Sequence, residues 1–124
     1  MLLNLTDLSD ESLQNQIIRQ VRAKILAGNL ESGISLPSIR GLAKDNRVSV
    51  ITVQRAYESL MREGLIHSRR GKGFFVSEIK DTDKKELAKQ KLLEELERPV
   101  RAGAAEGLSK QDILSVIKKI LSED

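Results

Sequence analysis

Three amphipathic segments lie between residues 13 and 63, the first two joined by a turn that carries Gly33 and Pro37 and the last two by a tight connection at residues 46–48. They constrain the fold of this 124-residue chain more than any other feature. Each has apolar side chains at helical spacing, which predicts three short helices packed around one core. The apolar stripes are Leu13, Ile17, Ile18, Val21 and Ile25, then Ile39, Leu42 and Ala43, then Val53, Ala56, Tyr57, Leu60 and Met61. The candidate caps and stops are Asp10 or Ser12 with Gly28, then Ser38, then Ser49 with Gly64.

A basic hairpin with two glycines follows the third helix. Residues 65–68 and 74–77 have the pattern of short strands, and residues 69–73 (Arg-Arg-Gly-Lys-Gly) form the turn between them. A cationic glycine turn is also typical of an ordinary solvated hairpin, so the turn alone does not decide its role. Helix, helix, tight turn, helix and ribbon in this order predict a mainly α-helical winged helix-turn-helix domain over residues 1–79.

The remaining residues, 80–124, have the pattern of amphipathic helices. Polar residues 80–83 form a linker or a helix start, and Pro99 predicts a kink or break near Arg98. Ser109 and Asp112 have the spacing of a variant capping box for a last helix. The apolar positions are Leu93, Leu96, Val100 and Gly103 or Ala104, followed by Ile113, Ile117, Ile120 and Leu121.

These two apolar stripes are difficult to bury within so short a segment. Pairing with a second copy of the chain buries them in a four-helix interface, which predicts a C-terminal α-helical dimerisation segment. The alternative is that the two helices fold back onto the N-terminal domain.

The composition excludes several classes of function. The chain has no Cys and a single His, His67, which excludes a thiolate nucleophile and a Cys/His zinc site. We therefore expect neither an enzyme nor a cofactor. Aromatic residues are 2% of the chain, too few for the stacking platforms that bind single-stranded nucleic acid. The N-terminus has no export signal and no window is apolar enough to span a membrane, which predicts a cytoplasmic protein.

Positive charge is concentrated in the middle of the N-terminal part. Residues 1–79 contain 11 basic and 8 acidic residues, whereas residues 80–124 contain 10 of each. Residues 40–72 contain eight basic and three acidic residues, an excess that suits the phosphates of double-stranded nucleic acid. A solvated charged surface is the other interpretation. Ile51 is predicted to be exposed at the start of the third helix, either incidentally or in contact with a thymine methyl group.

Five short motifs occur in order between residues 25 and 76. They are residues 25–30 (Ile-Leu-Ala-Gly-Asn-Leu), 36–40 (Leu-Pro-Ser-Ile-Arg), 48–57 with Val-Ser and Thr-Val-Gln-Arg-Ala-Tyr, 63–66 (Glu-Gly-Leu-Ile) and 71–76 (Gly-Lys-Gly-Phe-Phe-Val). Together they resemble the DNA-binding domain of the GntR family of bacterial transcription regulators. The short tail resembles the YtrA subfamily, whose members dimerise through two C-terminal helices and lack the large effector-binding or aminotransferase-like domains of other relatives.

The resemblance implies that Arg40 reaches a guanine edge or an adjacent phosphate, while Lys44 and Arg55 hold phosphates. It also implies that the third helix reads bases with its first turns and that the glycines of the wing approach the minor groove. The predicted DNA-binding residues are Ser38, Arg40, Lys44, Ser49, Ile51, Thr52, Gln54, Arg55, Arg69, Arg70, Lys72 and Gly73.

Three positions depart from the family pattern. Val50 stands where many members have Arg after the Val-Ser pair, which implies a missing base contact and an altered half-site. Arg47 stands where a Gly is common, and Asn46 is expected to adopt the left-handed conformation instead. Phe74 replaces a commoner Thr in the wing.

The leading hypothesis is a homodimeric repressor at an inverted-repeat operator, with half-sites about one helical turn, or a multiple of it, apart. The resemblance implies half-sites with outer GT and AC steps, and control of a neighbouring transporter operon and of the chain's own gene. The alternatives are a protein-interaction module, which the dense positive charge argues against, and a non-specific DNA-binding protein. The sequence names no effector, and a ligand pocket of about 300 Å³ has room only between subunits or between the two parts of the chain.

Overall fold

The computed structural model describes residues 1–122, and the chain divides into two compact units, Met1–Lys84 and one that begins at Lys85. The described residues form helices α1 (Leu13–Leu26), α2 (Ile39–Asn46), α3 (Val50–Arg62), α4 (Asp81–Ala105) and α5 (Lys110–Ser122), with strands β1 (Ile66–Arg69) and β2 (Gly73–Val76). This confirms the predicted fold class, a mainly α-helical winged helix-turn-helix with a helical C-terminal segment. Within the described residues, no helix is long and apolar enough to cross a membrane.

Serine caps begin the three helices of the first unit. The hydroxyl oxygens of Ser12, Ser38 and Ser49 accept hydrogen bonds from the backbone N–H groups of Asn15, Gly41 and Thr52 at 3.0 to 3.1 Å. Each cap satisfies a donor that the first helical turn leaves without a partner. The predicted helix starts are therefore confirmed, with Ser12 rather than Asp10 as the first cap.

The core of the first unit lies between the three helices and the hairpin. The fully or almost fully buried apolar side chains are Ile17, Val21, Ile25, Leu36, Leu42, Ala43, Val53, Ala56, Tyr57, Leu60, Leu65, Ile66 and Val76. The predicted α3 stripe is buried at Val53, Ala56, Tyr57 and Leu60, while Met61 is half-buried. Packing of α3 against both α1 and α2 therefore leaves the opposite face of α3 exposed.

The turn between α2 and α3 corrects one prediction. Arg47, and not Asn46, adopts the left-handed conformation, with φ 55° and ψ 44°. The N–H of Val48 donates to the oxygen of Ala43 and the N–H of Arg47 to that of Lys44, which is the Schellman pattern. This pattern places the left-handed residue directly after the last helical residue, and α2 continues through Asn46.

Asn46 remains helical because its side chain secures the N-terminal segment. Its Oδ1 accepts the N–H of Leu3, and its Nδ2 donates to the oxygens of Met1 and Leu42. The buried Gln16 exchanges hydrogen bonds with both backbone groups of Thr6, and Gln20 does the same with Asn4. Amide side chains thus fasten residues 1–6 along α1 and the end of α2, an arrangement that the sequence analysis did not predict.

The hairpin gains a third strand-like segment from the loop before α2. β1 and β2 are antiparallel, and Ser35 forms an isolated bridge with Phe75 on the other edge of β2. The strands lie one residue nearer the turn than predicted, because Leu65 N–H still bonds to the oxygen of Leu60 at the end of α3. The wing is therefore anchored on both sides of β2.

Of the kink or break expected near Arg98, the break is wrong. α4 is one 25-residue helix that continues through Pro99, since the loss of one N–H donor leaves the neighbouring turns bonded. Ser109 and Asp112 form the predicted reciprocal cap: Ser109 N–H donates to Asp112 Oδ2 and Asp112 N–H to Ser109 Oγ. The backbone and hydroxyl hydrogen bonds of Ser109 lower the pKa of the Asp112 carboxyl.

Tyr57 yields a stability prediction. Its ring is fully buried, its hydroxyl donates to the Pro37 oxygen at 2.8 Å, and it packs edge-on against Phe74. Tyr57→Phe removes this hydrogen bond, so we expect a loss of about 1 kcal/mol and a Tm lowered by about 4–8 °C in thermal unfolding. An unchanged Tm at neutral pH would contradict the role assigned to the hydroxyl.

The same variant has a pH signature. Burial raises the pKa of Tyr57 well above its ordinary value of 10.0, whereas the unfolded chain ionises near that value. The stabilisation is complete below about pH 10 and declines as the pH rises further, because only the unfolded state releases the proton. The stability difference between the native chain and Tyr57→Phe should therefore shrink above that pH.

Candidate nucleic-acid interface

The eight basic side chains of residues 40–72 are all exposed, and within residues 1–122 none of them forms an ion pair. We call this set the cationic cluster. It comprises Arg40, Lys44, Arg47, Arg55, Arg62, Arg69, Arg70 and Lys72. The three acidic residues of the same segment have other partners. Asp45 pairs with the N-terminal ammonium and Glu63 with Arg22, while Glu58 accepts a hydrogen bond from the amide of Gln54. The cationic cluster therefore keeps its charge available for an external anion.

The exposed face of α3 is a stripe of residues spaced by three and four. Its members are Ile51, Gln54, Arg55, Glu58 and Arg62, all exposed. The predicted residues Ile51, Gln54 and Arg55 are thus brought together on one helix face. Glu58 was missed, although its spacing of four from Gln54 and seven from Ile51 places it on the same stripe. Gln54 Nε2 donates to Glu58 Oε1 at 3.3 Å, so this carboxylate orients the amide.

The first turn of α3 presents few free polar groups. Ser49 Oγ caps the helix and also lies 2.7 Å from Thr52 Oγ1, so one of the two hydroxyls donates to the other. Thr52 is half-buried, whereas Val50 and Ile51 are 39% and 58% exposed. The tip of this helix is therefore aliphatic, with its hydroxyls engaged locally.

α2 places its two predicted cations on its exposed side. Arg40 lies in the first turn of α2 and Lys44 in the last, one helical turn apart, and both are exposed. Ser38 is occupied as the N-cap of this helix, since its hydroxyl accepts the Gly41 N–H at 3.0 Å. Gly41 allows this close cap, because a Cβ there would lie 2.9 Å from the Ser38 hydroxyl oxygen.

The wing carries an arginine that rests on an aromatic ring. The guanidinium carbon of Arg69 lies 4.6 Å from the centroid of the Phe75 ring, a cation–π contact. Gly73 pairs with Arg69 across the hairpin and has φ 100°, a backbone conformation that favours glycine. The other predicted residues of the wing, Arg70 and Lys72, are exposed in the turn.

The contacts of His67 lie within the hairpin. It pairs with Phe75 across the two strands, their rings stack at 6.0 Å, and its Nδ1 lies 3.0 Å from Ser77 Oγ. In the described part of the chain, no three His, Asp or Glu side chains converge as metal ligands.

The second unit contains an open apolar groove of about 310 Å³. Its lining is Leu96, Pro99, Val100, Gly103, Leu108, Ile113, Val116, Ile117 and Ile120. Five of the seven predicted dimerisation residues line this groove: Leu96, Val100, Ile113, Ile117 and Ile120. Leu93 lies with Leu96 and Val100 on an adjoining shallow surface, and Leu121 is 69% exposed. No residue of α4 or α5 is buried.

The helix-turn-helix, the cationic cluster and the β-hairpin together define a winged-helix domain of the kind that binds double-stranded DNA. Residues 13–76 match the model of the bacterial regulatory proteins of the gntR family, and the chain belongs to this family. Membership makes it a DNA-binding transcription regulator and not an enzyme.

Relatives of similar length place the chain in the YtrA-like subfamily. The HTH-type transcriptional repressor YtrA of Bacillus subtilis is 31% identical over 115 residues, which are 93% of this chain and 88% of that protein. A GntR family transcriptional regulator from Listeria monocytogenes has a TM-score of 0.75 at 28% identity, covering 93% of this chain and 98% of that one. The DNA-binding domain of AraR in complex with operator ORX1 has a TM-score of 0.52 at 27% identity, over 60% of this chain and 93% of that one.

Proposed function

We propose that this chain is a homodimeric repressor that binds an inverted-repeat operator through residues 1–79 and dimerises through residues 80–124. The observation that carries the proposal is the cationic cluster, eight exposed basic side chains without internal counter-charges. Exposed positive charges that have no counter-charge on the protein attract the phosphate backbone of DNA and release its counterions on binding. The likeness to the operator-bound AraR domain supports DNA as the partner.

The exposed apolar groove supports the homodimer. Leu93, Leu96 and Ile120 are 62%, 36% and 61% exposed, far more than is usual for large apolar side chains of a completed fold. A two-fold dimer covers such faces by pairing each with its copy, and the dimerisation residues we assign are Leu93, Leu96, Val100, Ile113, Ile117, Ile120 and Leu121. Two-fold symmetry then requires an inverted-repeat operator.

Within each half-site, we assign the roles by chemistry. Arg40 contacts a guanine edge or the phosphate beside it, the first turns of α3 read bases, and Lys44 and Arg55 hold phosphates. The wing contacts the DNA at the adjacent minor groove, through the side chains of Arg69, Arg70 and Lys72 and the backbone at Gly73. The regulated genes proposed are the chain's own and those of a neighbouring transporter operon.

The test is a DNase footprint on the DNA upstream of the chain's own gene, followed by transcription in vitro. We expect two protected segments related by symmetry and less transcript as the protein is added. Unchanged transcription with a clear footprint would contradict the repressor role. Absence of any footprint there would contradict regulation of its own gene.

Lys72 yields a prediction about salt dependence. Lys72→Ala removes one phosphate contact, so binding should weaken about equally for all sequences, and the slope of log K against log salt should become about 0.9 less steep. The measurement is fluorescence anisotropy with one duplex at several salt concentrations. Lys89→Ala, which removes the same charge from an exposed ion pair with Glu86 on α4, is the control and should leave the slope unchanged. Equal slopes for native chain and Lys72→Ala would exclude this contact.

A further inference from the structure

We infer that Val50 and Ile51 form an apolar reading tip that recognises thymine methyl groups in the major groove of the operator. The inference rests on the proposed function, because it assumes that α3 enters the groove. It names the base chemistry that the first turn of α3 selects. The proposal begins from the exposure of these two adjacent β-branched side chains, 39% and 58%.

The stability of the protein does not explain their presence. Val and Ile are poorer helix formers than Ala or Leu, and neither side chain is buried in the core. The other exposed residues of α3 near them, such as Gln54 and Arg55, are polar or positively charged. Two adjacent aliphatic side chains at such a place are therefore suited to contact with a partner.

The polar side chains of the same turn are engaged with one another. Ser49 Oγ accepts the Thr52 N–H at 3.1 Å and lies 2.7 Å from Thr52 Oγ1. One of the two hydroxyls donates to the other, so this pair leaves a single O–H for an external acceptor. The contact surface of this turn is then dominated by the Val50 and Ile51 methyl groups.

Ile51 is placed to meet the same DNA surface as the polar readers. It lies on one helix face with Gln54 and Arg55, at spacings of three and four, so an α3 docked through Arg55 also presents Ile51 to the groove. The thymine C5-methyl is the apolar group that a base edge offers in the major groove. Both side chains are stiff at χ1 in a helix, so little conformational entropy is lost when they pack against it.

The experiment replaces thymine by deoxyuridine, one position at a time, in an operator selected from random duplexes. This change deletes the methyl group and leaves base pairing intact. At one or two positions of each half-site, we expect the affinity to fall about fourfold for each methyl removed, the effect of burying one methylene-sized group. The double variant Val50→Ala with Ile51→Ala should bind the deoxyuridine and thymine duplexes equally.

Ile34→Ala is the matched control, because Ile34 is a 40% exposed isoleucine of the same unit outside α3. This variant should retain the native response to deoxyuridine. If an operator is bound tightly but no single deoxyuridine replacement lowers the affinity, the inference is overturned and the proposed function stays intact. A response that persists in the double variant would also overturn it. Failure to select any operator would overturn both.

Discussion

Ile117→Asp should convert the protein into a monomer and weaken binding to a complete operator by about 100-fold or more. Ile117 lies in the apolar groove with α4 residues such as Leu96 and Val100. A carboxylate buried in a dimer interface there loses its hydration without gaining a partner. Loss of the dimer also removes the advantage of engaging two linked half-sites, which commonly raises affinity by about 10² to 10⁴.

Sedimentation equilibrium measures the assembly, and anisotropy measures operator affinity. Ser115→Asp is the control, since Ser115 is exposed on α5 outside the groove lining and gains the same charge. It should remain a dimer with native affinity, and circular dichroism should show the first unit of both variants folded. A dimeric Ile117→Asp protein would contradict the assignment of this groove as the interface.

Arg40→Ala is expected to weaken binding to the best operator by about 1–3 kcal/mol, or roughly 5- to 150-fold. Arg40 is exposed in the first turn of α2, forms no ion pair in the described chain and belongs to the cationic cluster. A guanidinium fork matches the O6 and N7 acceptors of guanine, so its loss should also relax the preference at one base position. Competition among operators that differ at single positions measures both effects.

Lys44→Ala on the same helix is the comparison. Lys44 is also exposed and carries the same charge. Because it is proposed as a phosphate contact, Lys44→Ala should weaken binding to all sequences alike and leave the base preferences unchanged. If Arg40→Ala altered neither affinity nor preference, the guanine contact would be wrong. A uniform loss for both variants would make Arg40 a second phosphate contact.

The helices and their caps could be predicted because their signals are local. The stripe of Val53, Ala56, Tyr57 and Leu60 has the helical period, and a serine before it supplies the cap. The capping pair of Ser109 and Asp112 was predictable for the same reason. These features depend on residues within one or two turns of each other.

Features that depend on distant residues were not predictable. Asn46 was expected to adopt the left-handed conformation, but its side chain bonds to Leu3 and Met1, more than 40 positions away. Arg47 adopts it instead, at a cost that the Schellman hydrogen bonds offset. The continuity of α4 through Pro99 has a different, local cause: the helical hydrogen bonds on both sides of Pro99 outweigh the single missing donor.

The candidate site was partly predictable. The excess of basic residues could be counted, but the partners of the acidic residues could not, and these partners leave the cationic cluster unpaired. The cation–π contact of Arg69 with Phe75 depends on the register that sets Gly73 opposite Arg69. Glu58 was not predicted although its spacing was available in the sequence, and the structure places its carboxylate against the Gln54 amide.

Selection of bound duplexes from a random pool, followed by sequencing, tests the central claim most directly. A dimer that places one α3 in each of two major grooves should recover an inverted repeat whose half-site centres are about 10–10.5 base pairs, or a multiple, apart. Recovery of a single unpaired half-site would contradict the homodimer on DNA. An unenriched pool would contradict sequence-specific recognition altogether.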